Sequence, residues 1–296
     1  MTLQPTQKTD MCENCGCGNN DHFHVHPTPG EGHLPHGLHE GHAHHESHEH
    51  GHAHEADGGW HAHTAADGAV SWHRHGGHGG QPVLDANQRE AERNRGYFRA
   101  RDMLALNLVS SPGAGKTTLL RKTLERLHPR VGCAVVVGDL ETQADADALR
   151  PGGAPVVQIT TGTVCHLDAR MVSAAVDTLP KDGVRLLFIE NVGNLVCPAS
   201  FDLGESHRIV LLAATEGENK PLKYPPIFHG ARAVVISKTD LAEPAGFDIA
   251  LAREAIAQVA PEAEIIEVSS RTGAGIDAWL GLLERLLASD ALGAKH

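Results

Sequence analysis

The sequence predicts an α/β domain built on a doubly wound, mostly parallel sheet, and three observations carry that reading. Short runs of Val, Ile and Leu alternate with helical patterns from about residue 104 onward. The first of those runs feeds directly into a glycine-bearing loop that ends in Gly115-Lys116-Thr117 and opens a helix. Ahead of all this lies a stretch too poor in large apolar residues to build a core. Eighteen of the 23 histidines fall between His22 and His78. Such a segment buries too little surface to offset the entropy of ordering it. The expected domains are therefore a disordered metal-binding tail over 1–81 and a globular domain over 82–296. The latter, at roughly 215 residues, suits a single α/β domain.

The elements follow in order. Residues 83–100 are charged, free of proline and rich in Ala, Arg and Glu, which predicts a lead-in helix. Strands are expected at Leu104–Val109, Cys133–Val137, Val156–Thr160, Arg185–Ile189, Arg208–Ala213, Ala233–Ser237 and Glu264–Val268. Near-continuous apolar runs of this length suit parallel strands covered on both faces. Helices are expected at Lys116–Leu127, His166–Thr178, Asp248–Val259 and Ile276–Ala288, and the alternation makes the sheet doubly wound.

The loop Ser110-Ser111-Pro112-Gly113-Ala114-Gly115-Lys116-Thr117-Thr118 carries the chemistry. Glycines let backbone N–H groups of Gly113, Ala114, Gly115 and the residues after them close around phosphate oxygens, and the helix N-terminus adds its dipole. In a P-loop NTPase, Lys116 reaches the β- and γ-phosphates and Thr117 ligates Mg²⁺, with Thr118 alongside. One departure stands out: Ser110 occupies the place of the first glycine in G-x-x-x-x-G-K-[ST]. Asp139 and Glu141 follow one strand and Glu190 ends another, where a carboxylate can hold Mg²⁺ or orient an attacking water. The catalytic candidates are Lys116, Asp139 and Glu190, with Thr117, Asp139 and Glu190 for magnesium. Gly193 is expected beside the γ-phosphate. Ser237-Lys238-Thr239-Asp240 resembles the N-K-x-D guanine reader, with Ser in place of Asn, and points to GTP through Lys238 and Asp240. Ser269-Ser270-Arg271 loosely matches the accompanying S-A-[KL] element through Ser270.

Three sets of metal ligands are present. Cys12, Cys15 and Cys17 crowd three thiols into six residues. Zinc there calls for a fourth ligand, whereas square-planar Ni(II) accepts thiolates with an amine or backbone nitrogen. If translation starts at Met11, removal of Met leaves Cys12 with a free α-amine to supply that nitrogen. The histidine tract, with pairs such as His42/His44, His48/His50 and His52/His54, suits nickel, zinc or copper. Inside the globular domain, Cys165 and His166 open a predicted helix, and Cys197 lies four residues beyond Gly193. Cys197 should therefore move with the γ-phosphate loop, while Cys165 and His166 are anchored elsewhere. A net charge of -12 without a basic stripe argues against nucleic acid. No run approaches a membrane span, and MTLQPTQKTD lacks the apolar core of a secretory signal. The reading is a cytoplasmic protein.

The motifs Cys-x-x-Cys-Gly-Cys, SSPGAGKTTLL, VVVGDLETQADADALR, GTVCHLDARM, IENVGNLVCPASFDLGE and ATEGENKPLKYP, together with the histidine tract, resemble the hydrogenase nickel-incorporation GTPase family, HypB. The resemblance covers residues 12–18 and about 95–290. It implies a Mg²⁺-dependent GTPase that forms a nucleotide- and metal-linked homodimer. Such a protein supplies Ni²⁺ to the precursor of the [NiFe]-hydrogenase large subunit, together with a nickel-binding maturation partner. It assigns Cys12, Cys15 and Cys17 to a tight nickel site, and Cys165, His166 and Cys197 to a weaker nickel or zinc site at the subunit interface. Two other roles stay open: a nickel store in which the tail dominates, and a zinc-delivery GTPase of a related branch.

Overall fold

The computed structural model describes residues 24–26, 60–64, 70–74, 80–128 and 130–293. Its strands are His24–His26 (β1), Trp60–Thr64 (β2), Val70–Arg74 (β3), Leu104–Ser110 (β4), Cys133–Asp139 (β5), Val156–Thr160 (β6), Leu186–Glu190 (β7), His207–Ala213 (β8), Ala233–Ser237 (β9) and Glu264–Val268 (β10). The helices are Gly80–Ala100 (α1), Lys116–Leu127 (α2), Ala144–Leu149 (α3), Ala169–Asp177 (α4), Ile249–Val259 (α8) and Ile276–Gly293 (α9). Single turns lie at Lys220–Lys223 (α5), Pro225–Phe228 (α6) and Ala242–Ala245 (α7).

The chain divides into two units, residues 1–28 with 83–296, and residues 29–82. In the larger unit the sheet order is β1-β6-β5-β7-β4-β8-β9-β10. The seven strands from β6 to β10 run parallel, and β1 pairs antiparallel with the edge strand β6 through His24↔Thr160. In the smaller unit β2 and β3 form an antiparallel pair with Trp60↔Arg74. The described strands β1, β2 and β3 and the first two residues of α1, Gly80 and Gln81, lie within the segment whose composition predicts disorder, and the rest of that tail is outside the described residues.

Alternation explains why the sheet is covered on both faces. Leu104, Leu106 and Leu108 of β4 share one cluster with Leu119, Leu120 and Leu124 of α2 and Trp279 of α9. Ala105 of the same strand packs on the opposite side with Phe98 of α1 and Met171 of α4. The Trp279 indole donates to Thr123 Oγ1 at 2.8 Å, so the largest buried ring has its polar atom satisfied. On α1, Asn87, Ala91, Asn94 and Phe98 are buried at helical spacing and form a single inward face.

The chain leaves β4 toward β5 and β6, returns through β7, and then builds β8, β9 and β10 on the other side. Winding therefore reverses beside β4. In such sheets the crevice at the carboxyl ends of the strands, at that reversal, is where ligands sit.

Candidate functional site

The loop after β4 turns back on itself at Gly113 and Gly115, whose φ angles of 70° and 95° are left-handed. A side chain would be strained at both, which is why the turn needs glycine. Together with Lys116, Thr117 and Thr118 they line an open cavity of about 510 Å³, closed on its far side by Gly138, Asp139, Asp145, Glu190, Asn191 and Gly193. Every phosphate and magnesium candidate therefore meets in one place. Glu141 does not line it.

Lys116 is 7 % exposed, and its amine donates to Ser110 Oγ at 2.9 Å. Ser110, at the position of the missing glycine, thus gives a buried cation a partner. Burial pushes the Lys116 amine below its ordinary pKa, while the facing carboxylates, Glu190 foremost, pull it back. Glu190 is 2 % exposed. Burial raises its carboxyl to about 7, against the opposing pull of Lys116 and the Thr117 hydrogen bond. One of its oxygens, Oε1, accepts from Thr117 Oγ1 at 2.7 Å, and Oε2 is buried without a hydrogen-bond partner. An orphaned carboxylate oxygen beside a threonine hydroxyl suits a hard cation such as Mg²⁺. Asp139 caps the turn after β5, its Oδ1 accepting from the backbone N–H groups of Glu141 and Thr142 at 2.9 and 3.0 Å. Asp145, on the first turn of α3, lines the same cavity and was not singled out by its sequence context.

Gly193 comes closer to the phosphate loop than any side chain would allow. A Cβ there would stand 2.8 Å from Pro112 Cα and 3.0 Å from Pro112 N.

A second pocket of about 220 Å³ adjoins the first through Ala114, Gly115 and Thr118, and is lined by Ser237, Lys238, Asp240, Ser270 and Arg271. Lys238 adopts a left-handed φ of 56°, and its Cε lies 4.0 Å from the Cβ position of Gly115. Ser237 Oγ donates to the Ala114 carbonyl at 2.7 Å, tying β9 to the phosphate loop. That bond gives the serine a role where the motif has asparagine. Asp240 Oδ1 accepts from Ser269 Oγ at 2.6 Å, and Arg271 Nε stands 3.7 Å from Oδ2. The serine that orients the aspartate is therefore Ser269, while Ser270 lines the pocket wall.

The ligand atoms of Cys165, His166 and Cys197 all lie within 4.8 Å of one another. The two sulfurs are 3.1 Å apart. His166 is 2 % exposed and stacks on Phe201 with ring centroids 3.9 Å apart. Its Nδ1 is buried without a hydrogen-bond partner, and burial lowers its pKa to about 4, against a weaker opposite pull from Asp168. A neutral buried imidazole beside two thiols is a donor set for nickel or zinc.

Two expectations about this cluster need correction. His166 is not on a helix: Asp168 caps α4 by accepting from the Met171 N–H at 2.7 Å, so the helix starts at Ala169. Nor is the Cys165-His166 half anchored apart from the cavity. Asn191, which follows Glu190 and lines the cavity, accepts the Leu167 N–H at 3.1 Å. Helix α1 braces the cluster from behind. Asn87 accepts from the Ala169 N–H and donates to the Asp202 carbonyl, both at 2.8 Å. Asn94 donates to the carbonyls of Ala169 and Leu203 at 2.8 and 3.0 Å. Gly204 passes so close that a Cβ would lie 2.4 Å from the Ala91 carbonyl oxygen. Cys12, Cys15, Cys17 and the tract histidines His42, His44, His48, His50, His52 and His54 lie outside the described residues.

The nucleotide-binding domain described as CobW/HypB/UreG matches residues 104–267. The hydrogenase maturation factor HypB of Escherichia coli (strain K12) is 54 % identical over 202 residues, covering 68 % of this chain and 70 % of that one. The crystal structure of HypB from Helicobacter pylori in complex with nickel is 39 % identical with a TM-score of 0.66, covering 69 % of this chain and 96 % of that one. The HypB structure from Archaeoglobus fulgidus is 38 % identical with a TM-score of 0.64, over 69 % of this chain and 99 % of that one.

Proposed function

The chain belongs to the CobW/HypB/UreG family, within its HypB members, and from that premise we propose that it is a GTP-hydrolysing nickel metallochaperone. It works in the cytoplasm as a homodimer and delivers or times nickel insertion into the [NiFe]-hydrogenase large-subunit precursor, alongside a nickel-binding maturation partner. The observation that carries this is the short path between two sites. Segment 190–197 begins with the cavity carboxylate Glu190 and ends with the metal-cluster thiol Cys197.

Guanine is read by Asp240, which Ser269 orients, with the Lys238 stem along the ring. Lys116 and the loop N–H groups of residues 113–118 hold the phosphates, and Gly193 admits the γ-phosphate end. Mg²⁺ would be held by Thr117, Asp139 and Glu190, and it supplies neutralisation of phosphate charge during transfer. Asp139 and Glu190 also stand where an attacking water is oriented. Nickel is cargo. The tail, through Cys12, Cys15, Cys17 and the histidine tract over 22–78, collects it, and Cys165, His166 and Cys197 receive it from one or both subunits. Thiol and imidazole donors do not exclude zinc, and a tail of this capacity also suits storage.

Complementation of a hydrogenase-deficient deletion strain tests the reading. Lys116→Ala should fail to restore hydrogenase activity while the purified full chain keeps its nickel capacity. A variant lacking 22–78 should fail only at low nickel. Wild-type GTP turnover by Lys116→Ala overturns the nucleotide assignment, and rescue by zinc instead of nickel overturns the metal assignment.

A further inference from the structure

Asn191 is 1 % exposed, and every polar atom of its side chain is engaged. Oδ1 accepts the Leu167 N–H at 3.1 Å and its own neighbour's N–H, Val192, at 3.0 Å. Nδ2 donates to Asn107 Oδ1 at 3.3 Å on β4, the strand that runs into the phosphate loop. Its backbone N–H donates to the Leu108 carbonyl at 3.0 Å, extending the β7–β4 ladder one residue past Glu190. Asn107 in turn donates to Glu205 Oε1 at 3.0 Å, whose other oxygen accepts the Leu203 N–H at 2.8 Å, close to Phe201 under the His166 ring.

This one side-chain amide therefore touches three things: the strand that carries the Lys116 loop, the Val192 N–H in the segment that runs from Glu190 to Cys197, and the peptide after His166. We infer that Asn191 is the positioning residue through which occupancy of the phosphate cavity sets the geometry of the Cys165–His166–Cys197 cluster. The inference rests on the proposed reading of the cavity as the nucleotide site and of the cluster as the metal site.

Thr117 and Glu190 are hydrogen-bonded directly at 2.7 Å, so a ligand that places an ion between them must move the adjoining 190–192 peptides. Their hydrogen bonds to Asn191 are shielded from water, so no solvent molecule takes over a partner that shifts away, and a buried polar group left without one is costly. Leu167 N–H must follow or lose its acceptor, and His166 is covalently bound to Leu167. Cys197 follows through the chain itself, six residues on. Both halves of the cluster thus answer to one side chain, and a metal site responds steeply because ligand distances hold to within about 0.2 Å.

Hydrogen exchange of the full chain, without nickel or zinc, reads this directly. The comparison is between Mg²⁺-GDP and Mg²⁺ with a non-hydrolysable GTP analogue. In the wild type, exchange over residues 161–171 should differ between the two states by roughly five- to tenfold, the change expected for one buried hydrogen bond. In Asn191→Ala that difference should vanish, while the difference over the phosphate loop, 111–118, persists. Asn107→Ala leaves the Leu167 bond in place and should retain most of the effect. If Asn191→Ala does not fold, the wild-type measurement still decides: identical exchange over 161–171 in the two states overturns the inference. Persistence of the difference in a folded Asn191→Ala overturns it equally. Absence of any nucleotide response over 111–118 instead refutes the nucleotide reading on which it rests.

Discussion

Substituting Gly193 by alanine is the sharpest test of how segment 190–197 meets the phosphate loop. The added methyl would stand 2.8 Å from Pro112 Cα, 3.0 Å from its nitrogen and 3.1 Å from Cγ. Carbon atoms settle about 3.5–4.0 Å apart. The two loops must therefore separate by roughly 0.7–1.2 Å, and all three obstructing atoms belong to a rigid proline in a tight turn. Misplacing a reacting group by about 1 Å costs on the order of a hundredfold in rate. Overpacking of this kind costs about 1–3 kcal/mol of stability. GTP turnover by Gly193→Ala should thus fall about a hundredfold, with a lowered Tm. Affinity for GDP should change little, because GDP lacks the γ-phosphate whose end Gly193 is proposed to admit, and the second pocket does not include Gly193. The control is Gly96→Ala on an exposed turn of α1, where a Cβ meets nothing within 4 Å. It should stabilise the protein by about 0.4–1 kcal/mol and leave turnover alone. Wild-type hydrolysis by Gly193→Ala would refute the close approach as a functional contact.

Three further outcomes are expected. The Glu190 carboxyl titrates near 7 in the fold against an ordinary 4.5, so the fold favours its protonated form. In nucleotide-free protein its stabilising contribution is full below about 4.5 and lost as pH rises through about 7. Glu190→Gln should flatten that slope in thermal unfolding and abolish Mg²⁺-dependent hydrolysis; an unchanged slope would show that the burial does not shift this group. Asp240→Asn should move preference from guanosine to xanthosine triphosphate by tenfold or more, as for a hydrogen bond to a charged group, with an unaltered nucleotide profile assigning the base reader elsewhere. Asn94→Ala leaves the carbonyls of Ala169 and Leu203 without their donor. It should cost about 1–3 kcal/mol in denaturant unfolding and weaken metal binding at the cluster, whereas an unchanged midpoint would mean that α1 is no brace.

What the sequence revealed and what it concealed divide along contact range. Strands β4 to β9 were legible because each buries most of both faces and so reads as a largely apolar run, and the edge strand β10 through its Ile265, Ile266 and Val268 alone. The phosphate loop was legible because its chemistry is contiguous, from Ser110 to Thr118. Cys165, His166 and Cys197 were legible by residue type, and the structure adds only that they meet. The asparagines left no such signal. Asn191 reaches Asn107 across 84 residues, Asn87 reaches Ala169 across 82, and Asn94 reaches Leu203 across 109. A polar residue in a loop or on a helix says nothing of a partner that distant. The misplaced start of α4 has a different cause. Leu167 is buried and fits a helical period, but the Asp168 side chain accepts the Met171 N–H and fixes the boundary one residue beyond itself.

As the proposed metal site, the Cys165–His166–Cys197 cluster would answer an electrostatic problem by its composition alone. A divalent cation in a buried place bears a heavy solvation penalty unless opposite charge lies beside it. Two thiolates cancel its charge, and His166, already neutral because its pKa sits near 4, contributes a lone pair without adding charge of its own. The loaded site is then formally uncharged, and loading releases one proton for each thiol that was protonated. Transfer of the ion to a carrier with the same two-thiolate balance would move no net charge between the proteins.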